Sequence, residues 1–270
     1  MKRKIKVAYL IDESNPWIKK YLLKSSLIKR NPRQFKSNIF TNIKKVVSYD
    51  IVFILGYTKI LKSSFLARNK INLVVHESDL PKDKGFSPVQ WQILRNKDKI
   101  IVSMFRAKEK FDSGDIFEKK TIYFSGTELY DEIREKQALC TFKLIKSFLQ
   151  KYPKVSFSRQ RGKSTYNRKI AENDRKININ TTIKKSFNRL RIANNEEWPS
   201  FFTYKKKKFI IKIYKSDEKY VKFMKQKTKA AYLIDESNPG IKKYLLKSGL
   251  VKRKLIKINS LYNFNEKNKK

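Results

Sequence analysis

The chain has 270 residues, 40% of them hydrophobic and 33% charged, and its formal net charge at pH 7 is +41. It can therefore bury a full core, which excludes a disordered polyelectrolyte. One cysteine, Cys140, excludes an intrachain disulfide, and one cysteine with one histidine, His76, cannot form an ordinary zinc site. We therefore expect no metal ion.

The N-terminal apolar run stops at Asp12, too early for the hydrophobic region of a signal peptide. No stretch reaches the roughly 20 apolar residues that a membrane span needs. We therefore expect a cytoplasmic protein without a membrane partner. The charge is uneven, because residues 151–270 hold 34 basic and 9 acidic residues. This indicates either an anionic partner such as nucleic acid or a compositional bias toward Lys, Asn and Ile.

Short apolar runs rich in β-branched residues predict five strands in the first 125 residues. Each run is nearly continuous rather than alternating, which is typical of strands buried on both faces of a sheet. The predicted strands are Ile5–Ile11, Asp50–Leu55, Ile71–His76, Ile100–Phe105 and Thr121–Phe124. Helical patterns at Pro16–Leu27 and Gly126–Leu149 lie between or after them. This order predicts an α/β domain over residues 1–150 with a mainly parallel sheet.

A linker and a second module are predicted after this domain. Residues Lys151–Thr165 are rich in Pro, Ser, Arg and Gly, which indicates a linker on the surface. Ile177–Ile192 has a helical pattern, and Phe201–Tyr214 has the pattern of two strands joined by a Lys-rich turn. We therefore predict a small α+β module over residues 151–215, of a size at which independent stability is marginal.

Residues 216–270 form a basic tail that carries an internal repeat. Lys6–Arg30 recurs as Lys229–Arg253 with 21 of 25 positions identical, and Trp17 is replaced by Gly240. A gene-level duplication explains the repeat, because a lone strand and helix cannot bury their own apolar face. The alternative is that the second copy adds to a sheet edge in the same chain or in a neighbouring one, so a homodimer stays open.

The segment most informative about function is Ile71–Trp91, which contains the one histidine. Its HESDLPKDKGFSP stretch and the later DSGDI at 112–116 resemble the formyltransferase family, whose pattern is N-x-H-x-S-x-L-P with a later D-x-G in a βαβ domain. The matching residues are His76, Ser78, Leu80, Pro81, Gly85, Pro88, Asp112 and Gly114. Segments 160–169 and 189–202 resemble the linker and small module of that family, so the resemblance covers roughly residues 1–215.

The resemblance implies a Rossmann-like domain that holds folate at the C-terminal ends of its strands. It implies that His76 moves protons, and that Asp112 orients His76 and stabilises its imidazolium form. A structural role in the turn is an equally good explanation for Ser78 and for Asp115. The residues implied for binding the co-substrate are Ser78, Leu80, Pro81 and Asp115.

The sequence departs from the family pattern at one position. The family's catalytic Asn lies two residues before the His, where this chain has Val74. Valine cannot donate a hydrogen bond, so the oxyanion donor is a backbone N–H or another side chain, or it is lost. Asn72 lies on the same strand face by the period of two, but about 6.6 Å away, which argues against a simple substitution.

The resemblance implies a transferase that moves a formyl group from its co-substrate, 10-formyltetrahydrofolate, to a primary amine. We expect a small-molecule acceptor, the amino group of a nucleotide-linked sugar, because the second module is short. Methionyl-tRNA is the alternative acceptor, which the basic residues after position 150 favour. A further hypothesis is a non-catalytic relative that binds folate or an anionic polymer, because Val74 replaces the Asn.

Overall fold

The computed structural model describes residues 3–13, 15–29 and 34–216 of the chain. The described residues up to Ile213 form one compact unit. The tail from residue 217 onward, including the second copy of the repeat, lies outside the described residues. The predicted domain boundaries at 150 and 215, and the two explanations given for the repeat, stay predictions.

Continuous apolar runs form the centre of a six-stranded sheet. Its strands are β1 (Ile5–Ile11), β2 (Phe35–Phe40), β3 (Ile51–Leu55), β4 (Ile71–His76), β5 (Lys99–Arg106) and β6 (Ile116–Tyr123). The order across the sheet is β2-β1-β3-β4-β5-β6. The first four strands in this order pair in parallel, and β5 and β6 extend the sheet with antiparallel pairs. The predicted α/β fold with a mainly parallel sheet is confirmed.

Helices cover both faces of this sheet. They are α1 (Lys19–Lys24), α2 (Ser26–Lys29), α3 (Ser63–Leu66), α4 (Pro88–Leu94), α5 (Tyr130–Lys151) and α6 (Ile183–Arg191). A core that includes Tyr9 and Phe53 joins one face to α1, α4 and α5, and a second core that includes Leu10 and Ile54 joins the other face to α3. The two cores use alternate strand residues because successive side chains point to opposite faces. None of the helices described has the length and apolarity of a membrane span.

Strand prediction succeeds where the strand is buried on both faces. β1 and β4 lie at the predicted residues. β6 begins at Ile116, five residues before the predicted start, because its first half mixes polar and apolar residues. The pattern does not indicate β2, whose FKSNIF sequence is half polar because it lies at the sheet edge. Edge strands therefore escape a search for continuous apolar runs.

The predicted helices have different ends in the structure. Over Pro16–Leu27, a 3₁₀ turn leads into α1, and extended backbone at Ser25 separates α1 from α2. The helix predicted from Gly126 begins at Tyr130, because the residue before it, Leu129, is still extended with a ψ of 174°. Residues 126–129 lie outside the helix, and Glu128 among them is buried.

The residues after α5 return to the sheet domain and contact it. In α6, which is shorter than the predicted Ile177–Ile192, Asn188 donates a hydrogen bond of 2.8 Å to the Ile93 carbonyl at the end of α4. β7 (Ser200–Tyr204) and β8 (Lys207–Ile211) are the two strands predicted over Phe201–Tyr214, and they pair antiparallel. The two strands are joined by Lys205 and Lys206, which both have positive φ.

A buried ion pair fixes α6 to the start of α5. The side chains of Glu128 and Arg191 are 6% and 5% exposed, and Arg191 Nη2 lies 3.1 Å from Glu128 Oε2. Burial by itself raises the pKa of the Glu128 carboxyl, but hydrogen bonds from Lys136 and from the backbone N–H of Ser125 outweigh it and lower this pKa from 4.5 to about 2. The negative charge of Glu128 therefore stabilises the fold at neutral pH.

We expect Glu128→Gln to lower the free energy of unfolding by about 3 kcal/mol at pH 7, because it leaves Arg191 buried without its partner charge. Since the folded-state pKa of Glu128 lies below its ordinary value, this stabilisation is complete above pH 4.5 and is lost as the pH falls toward about 2. Urea unfolding of the wild type and of Glu128→Gln at pH 7 and pH 3 measures the difference in the free energy of unfolding. Glu135→Gln, at an exposed position of α5, is the control and leaves the stability unchanged.

Candidate active site

The histidine lies at the C-terminal end of β4, the end of a parallel sheet where ligands of open α/β folds bind. His76 is 7% exposed, and its Nε2 lies 2.9 Å from the backbone oxygen of Asp83. A carbonyl oxygen only accepts a hydrogen bond, so Nε2 carries the hydrogen in this contact. Within the described part of the chain, Nδ1 of His76 has no hydrogen-bond partner.

The carboxylate of Asp112 lies beside the imidazole. Its Oδ2 is 3.8 Å from His76 Nε2 and accepts a 2.8 Å hydrogen bond from the backbone N–H of Gly85. Both side chains are less than a tenth exposed, so their interaction is only weakly screened by water. The two residues that the sequence proposes as catalytic, 36 positions apart, are therefore brought together by the loops after β4 and before β6.

The loop after β4 places the other predicted residues in different environments. Ser78 is fully buried, and its Oγ has no hydrogen-bond partner among the described residues. Leu80 is 2% exposed and packs against Phe105, and the Leu80–Pro81 peptide bond is cis. Lys119 Nζ donates a hydrogen bond of 2.9 Å to the Leu80 carbonyl. Co-substrate contacts by Ser78, Leu80 and Pro81 stay predictions.

Val74 is an apolar contact at the position of the family's Asn. It lies on the same face of β4 as His76, partly buried against Leu80 and Phe105. Asn72, the neighbour on that face, does not replace the missing amide, because its Nδ2 donates a 2.9 Å hydrogen bond to the Leu66 carbonyl at the end of α3. The expectation that Asn72 is no simple substitute agrees with this geometry.

The loop that carries Asp112 is tightly constrained. Asp112 has a φ of +48°, which is uncommon for a residue other than glycine. A Cβ atom on Gly114 would lie 1.7 Å from the backbone oxygen of Arg106, so only glycine fits there. Asp115 accepts a backbone hydrogen bond from Arg106 and pairs with Lys108 at 3.4 Å, and its predicted contact with the co-substrate stays a prediction.

Two aromatic side chains beside the site were not predicted from the sequence. Phe86 follows Gly85, and Phe111 precedes Asp112. Each is 39% exposed, and their ring centroids are 6.3 Å apart. The hydrogen bond between Gly85 and Asp112 brings these neighbours together. In the sequence both residues adjoin motif residues, in KGF and in FDSG. This position is the signal from which they could have been predicted.

The described residues contain no group of three or more His, Cys, Asp and Glu side chains that could hold a metal ion. Cys140 lies on α5 and is buried, and burial raises the pKa of its thiol to about 11. A thiol with a raised pKa is a poor nucleophile at neutral pH, because the thiolate is the reactive form. Cys140 is therefore poorly suited to act as a nucleophile at neutral pH.

A family model described as formyl transferase matches residues 3–141, just over half of the chain. The chain belongs to the formyltransferase family, which confirms the resemblance found in its sequence. It is 28% identical over 194 residues to the methionyl-tRNA formyltransferase of Thermodesulfovibrio yellowstonii, an alignment that covers 71% of this chain and 62% of that protein. The chain thus spans about three fifths of the length of this curated relative.

Solved structures of the family share the fold. The methionyl-tRNA formyltransferase from Clostridium thermocellum superposes with a TM-score of 0.67 at 20% identity, over 79% of this chain and 94% of that one. A sugar N-formyltransferase from a Shewanella species gives a TM-score of 0.60 at 15% identity, over 77% and 97%. At these identities the likeness establishes the fold, which both kinds of enzyme have.

Proposed function

We propose that this chain transfers a formyl group from 10-formyltetrahydrofolate to a primary amine. The observation that carries the proposal is the pair formed by His76 and Asp112 at the C-terminal end of β4, with 3.8 Å between His76 Nε2 and Asp112 Oδ2. An imidazole beside a carboxylate can accept a proton and stabilise the charge that results.

His76 acts as the base through Nδ1. Since Nε2 donates its hydrogen to the Asp83 carbonyl, Nδ1 is the ring nitrogen with a free lone pair. It accepts the proton that the amine loses when its nitrogen attacks the formyl carbon. It then returns this proton to N10 of tetrahydrofolate as the bond between N10 and the formyl carbon breaks. The imidazolium then faces the Asp112 carboxylate and the Asp83 oxygen, which both stabilise the positive charge.

We propose that the co-substrate binds at the apolar surface beside this pair. Folates carry flat aromatic rings, and half-exposed aromatic side chains provide contact area for such rings. Phe86 and Phe111 are the residues that we propose hold them, since both adjoin the Gly85–Asp112 hydrogen bond. When bound, 10-formyltetrahydrofolate supplies the formyl group. The protein residues orient it and move the proton.

The lack of a side-chain donor at position 74 predicts slow turnover, which Val74→Asn should raise by at least about tenfold, because one oxyanion donor is worth 10²–10³ in kcat elsewhere. Val74→Leu is the control, because a leucine side chain resembles that of asparagine in shape but has no hydrogen-bond donor. It should not raise kcat. Steady-state release of tetrahydrofolate measures both. If the Asn variant is no faster than the Leu variant, a donor at position 74 does not limit turnover.

Two acceptors follow from different observations. A nucleotide-linked amino sugar is the acceptor predicted from the sequence. Methionyl-tRNA is favoured by the similarity in sequence to a methionyl-tRNA formyltransferase and by the exposed lysines at 205–208, in and beside the turn between β7 and β8, since clustered lysines bind phosphates. Binding that weakens steeply with salt concentration favours tRNA.

The deciding experiment measures formyl transfer from 10-formyltetrahydrofolate to a panel of amino-sugar nucleotides and to methionyl-tRNA. Turnover with one acceptor supports the proposal and identifies that acceptor. Binding of tetrahydrofolate without turnover of any acceptor supports the alternative of a non-catalytic relative. The absence of both binding and turnover contradicts the proposed function.

A further inference from the structure

The segment after α5 contacts both loops of the candidate site. Its composition predicts a surface linker over Lys151–Thr165, and its side chains are indeed largely exposed. Yet residues 158–167, which we call the strap, form backbone and side-chain hydrogen bonds with the loops after β4 and before β6. The family model ends at residue 141, so the strap lies outside it.

The strap first holds the loop that carries Asp112. Ser158 exchanges two backbone hydrogen bonds with Ile116, of 2.7 and 2.8 Å, at the start of β6. Two residues later, Gln160 Nε2 donates to the backbone oxygens of Asp112 and Gly114, both at 2.9 Å. One amide thus ties the carbonyl groups on both sides of Ser113 together.

While Nε2 of Gln160 forms these contacts, the oxygen of the same amide is left without a hydrogen bond. Its Oε1 is buried and has no hydrogen-bond partner among the described residues. The reversed amide would place Oε1 against two carbonyl oxygens, so the orientation with Nε2 toward the loop is the favourable one. An unpaired buried oxygen lowers the stability of the fold. That Gln160 keeps this orientation indicates that its role is to hold the loop.

The strap also holds the loop that contains Asp83. Thr165 Oγ1 accepts a 2.8 Å hydrogen bond from the backbone N–H of Asp83, and the Thr165 carbonyl accepts one of 2.9 Å from Lys84. Asn167 then donates to the Asp83 carboxylate at 3.2 Å. The loop after β4 is therefore fixed to the strap beside the residue whose carbonyl faces His76.

Both groups that face His76 Nε2 belong to strained residues. Asp83 has a φ of +54° and Asp112 a φ of +48°, and neither is glycine. Such conformations persist only where the surrounding contacts determine them. Gln160 and Thr165 supply contacts of this kind, one to each residue.

We infer that Gln160 and Thr165 are positioning residues, which hold the Asp112 carboxylate and the Asp83 carbonyl at the distances from His76 that proton transfer needs. For its kinetic consequence the inference rests on the proposed function. Its structural consequence, the placement of two groups around one imidazole, does not.

The test uses two variants of the full chain that keep side-chain volume and lose the hydrogen bond, Gln160→Met and Thr165→Val. Each has a control at an exposed position of the strap, Lys163→Met and Ser164→Ala. Because His76 is the only histidine, its imidazole gives a unique nuclear magnetic resonance signal, which reports on the groups around it. Asp112→Asn serves as the reference for loss of the carboxylate charge.

We expect kcat of Gln160→Met to fall by about 10 to 100-fold, with a smaller change in KM for 10-formyltetrahydrofolate, because a misplaced catalytic group impairs the chemical step. The imidazole signal of Gln160→Met should move from its wild-type position toward that of Asp112→Asn. Thr165→Val should also move the signal and lower kcat. The two controls should match the wild type in signal and in kcat.

A wild-type imidazole signal in both folded variants overturns the inference, whether or not the chain is active. An unchanged kcat in both variants of an active chain also overturns it and leaves the proposed function intact. If no acceptor is formylated by the wild type, the proposed function fails, and the imidazole signal alone decides between positioning and a merely structural contact.

Discussion

Alanine at position 76 lowers kcat for formyl transfer by about 10²–10⁴-fold, the range that acid-base groups contribute to enzymatic rates. His76 is the only histidine of the chain, so no second imidazole can take over proton transfer. Its Nδ1 is the ring atom proposed to accept the proton, because Nε2 is bonded to the Asp83 carbonyl. Single-turnover release of tetrahydrofolate measures the loss at the chemical step.

A matched control separates this effect from damage to β4. Asn72 lies on the same strand face and is 9% exposed, close to the 7% of His76, but its amide bonds to the Leu66 carbonyl, away from the imidazole. We expect Asn72→Ala to lower stability while kcat stays near the wild-type value. Added imidazole should restore part of the activity of His76→Ala. Wild-type kcat in folded His76→Ala would remove His76 from the mechanism.

The sequence predicts the parts of the fold that depend on local pattern. β1 and β4 follow from continuous apolar runs, because both faces of these strands are covered. α4 is not indicated, since its PVQWQIL sequence is short and begins with Pro88, which reads as a turn although it is well placed in the first turn of a helix. Its buried face includes Gln90 and Gln92, which a search for apolar periodicity does not count.

The candidate site is predicted only in part for the same reason. A motif can name His76 and Asp112, but the distance between them depends on the order of the strands, which places β4 and β5 side by side and β6 beyond them. The hydrogen bonds from Gln160 to the Asp112 loop were not predicted from the sequence, although segment 160–169 resembles the family's linker. They connect groups 46 and 48 positions apart, and they come from a segment whose composition indicates only a linker.

The site is therefore assembled from three segments with different roles. β4 supplies the histidine on a rigid strand end, the loop before β6 supplies the carboxylate, and the strap fixes the geometry between them. Precise placement of this kind is hard to achieve with loops alone, since loops move more than strands do. The many hydrogen bonds from the strap compensate for the placement of Asp112 on a loop.

Alanine at position 114 tests how closely activity depends on this placement. Its Cβ would lie 1.7 Å from the Arg106 oxygen and 2.7 Å from the Arg106 carbonyl carbon, both backbone atoms of β5 that cannot rotate away. The loop must therefore shift and take Asp112 with it. We expect kcat to fall by about 100-fold, because a displacement of 1 Å at a catalytic group has an effect of this size.

The same substitution should lower the free energy of unfolding by about 1–3 kcal/mol, the usual effect of overpacking. Ser113→Ala is the control, since Ser113 directly precedes Gly114 in the loop and its hydroxyl donates a hydrogen bond to the Lys110 carbonyl. We expect Ser113→Ala to keep kcat near the wild-type value. Tetrahydrofolate release and thermal unfolding of both variants give the two quantities. Gly114→Ala leaves His76 and Asp112 chemically intact, so a fall in kcat in the folded variant must come from their geometry. An unchanged kcat would show that the 3.8 Å separation between His76 Nε2 and Asp112 Oδ2 is not required for turnover.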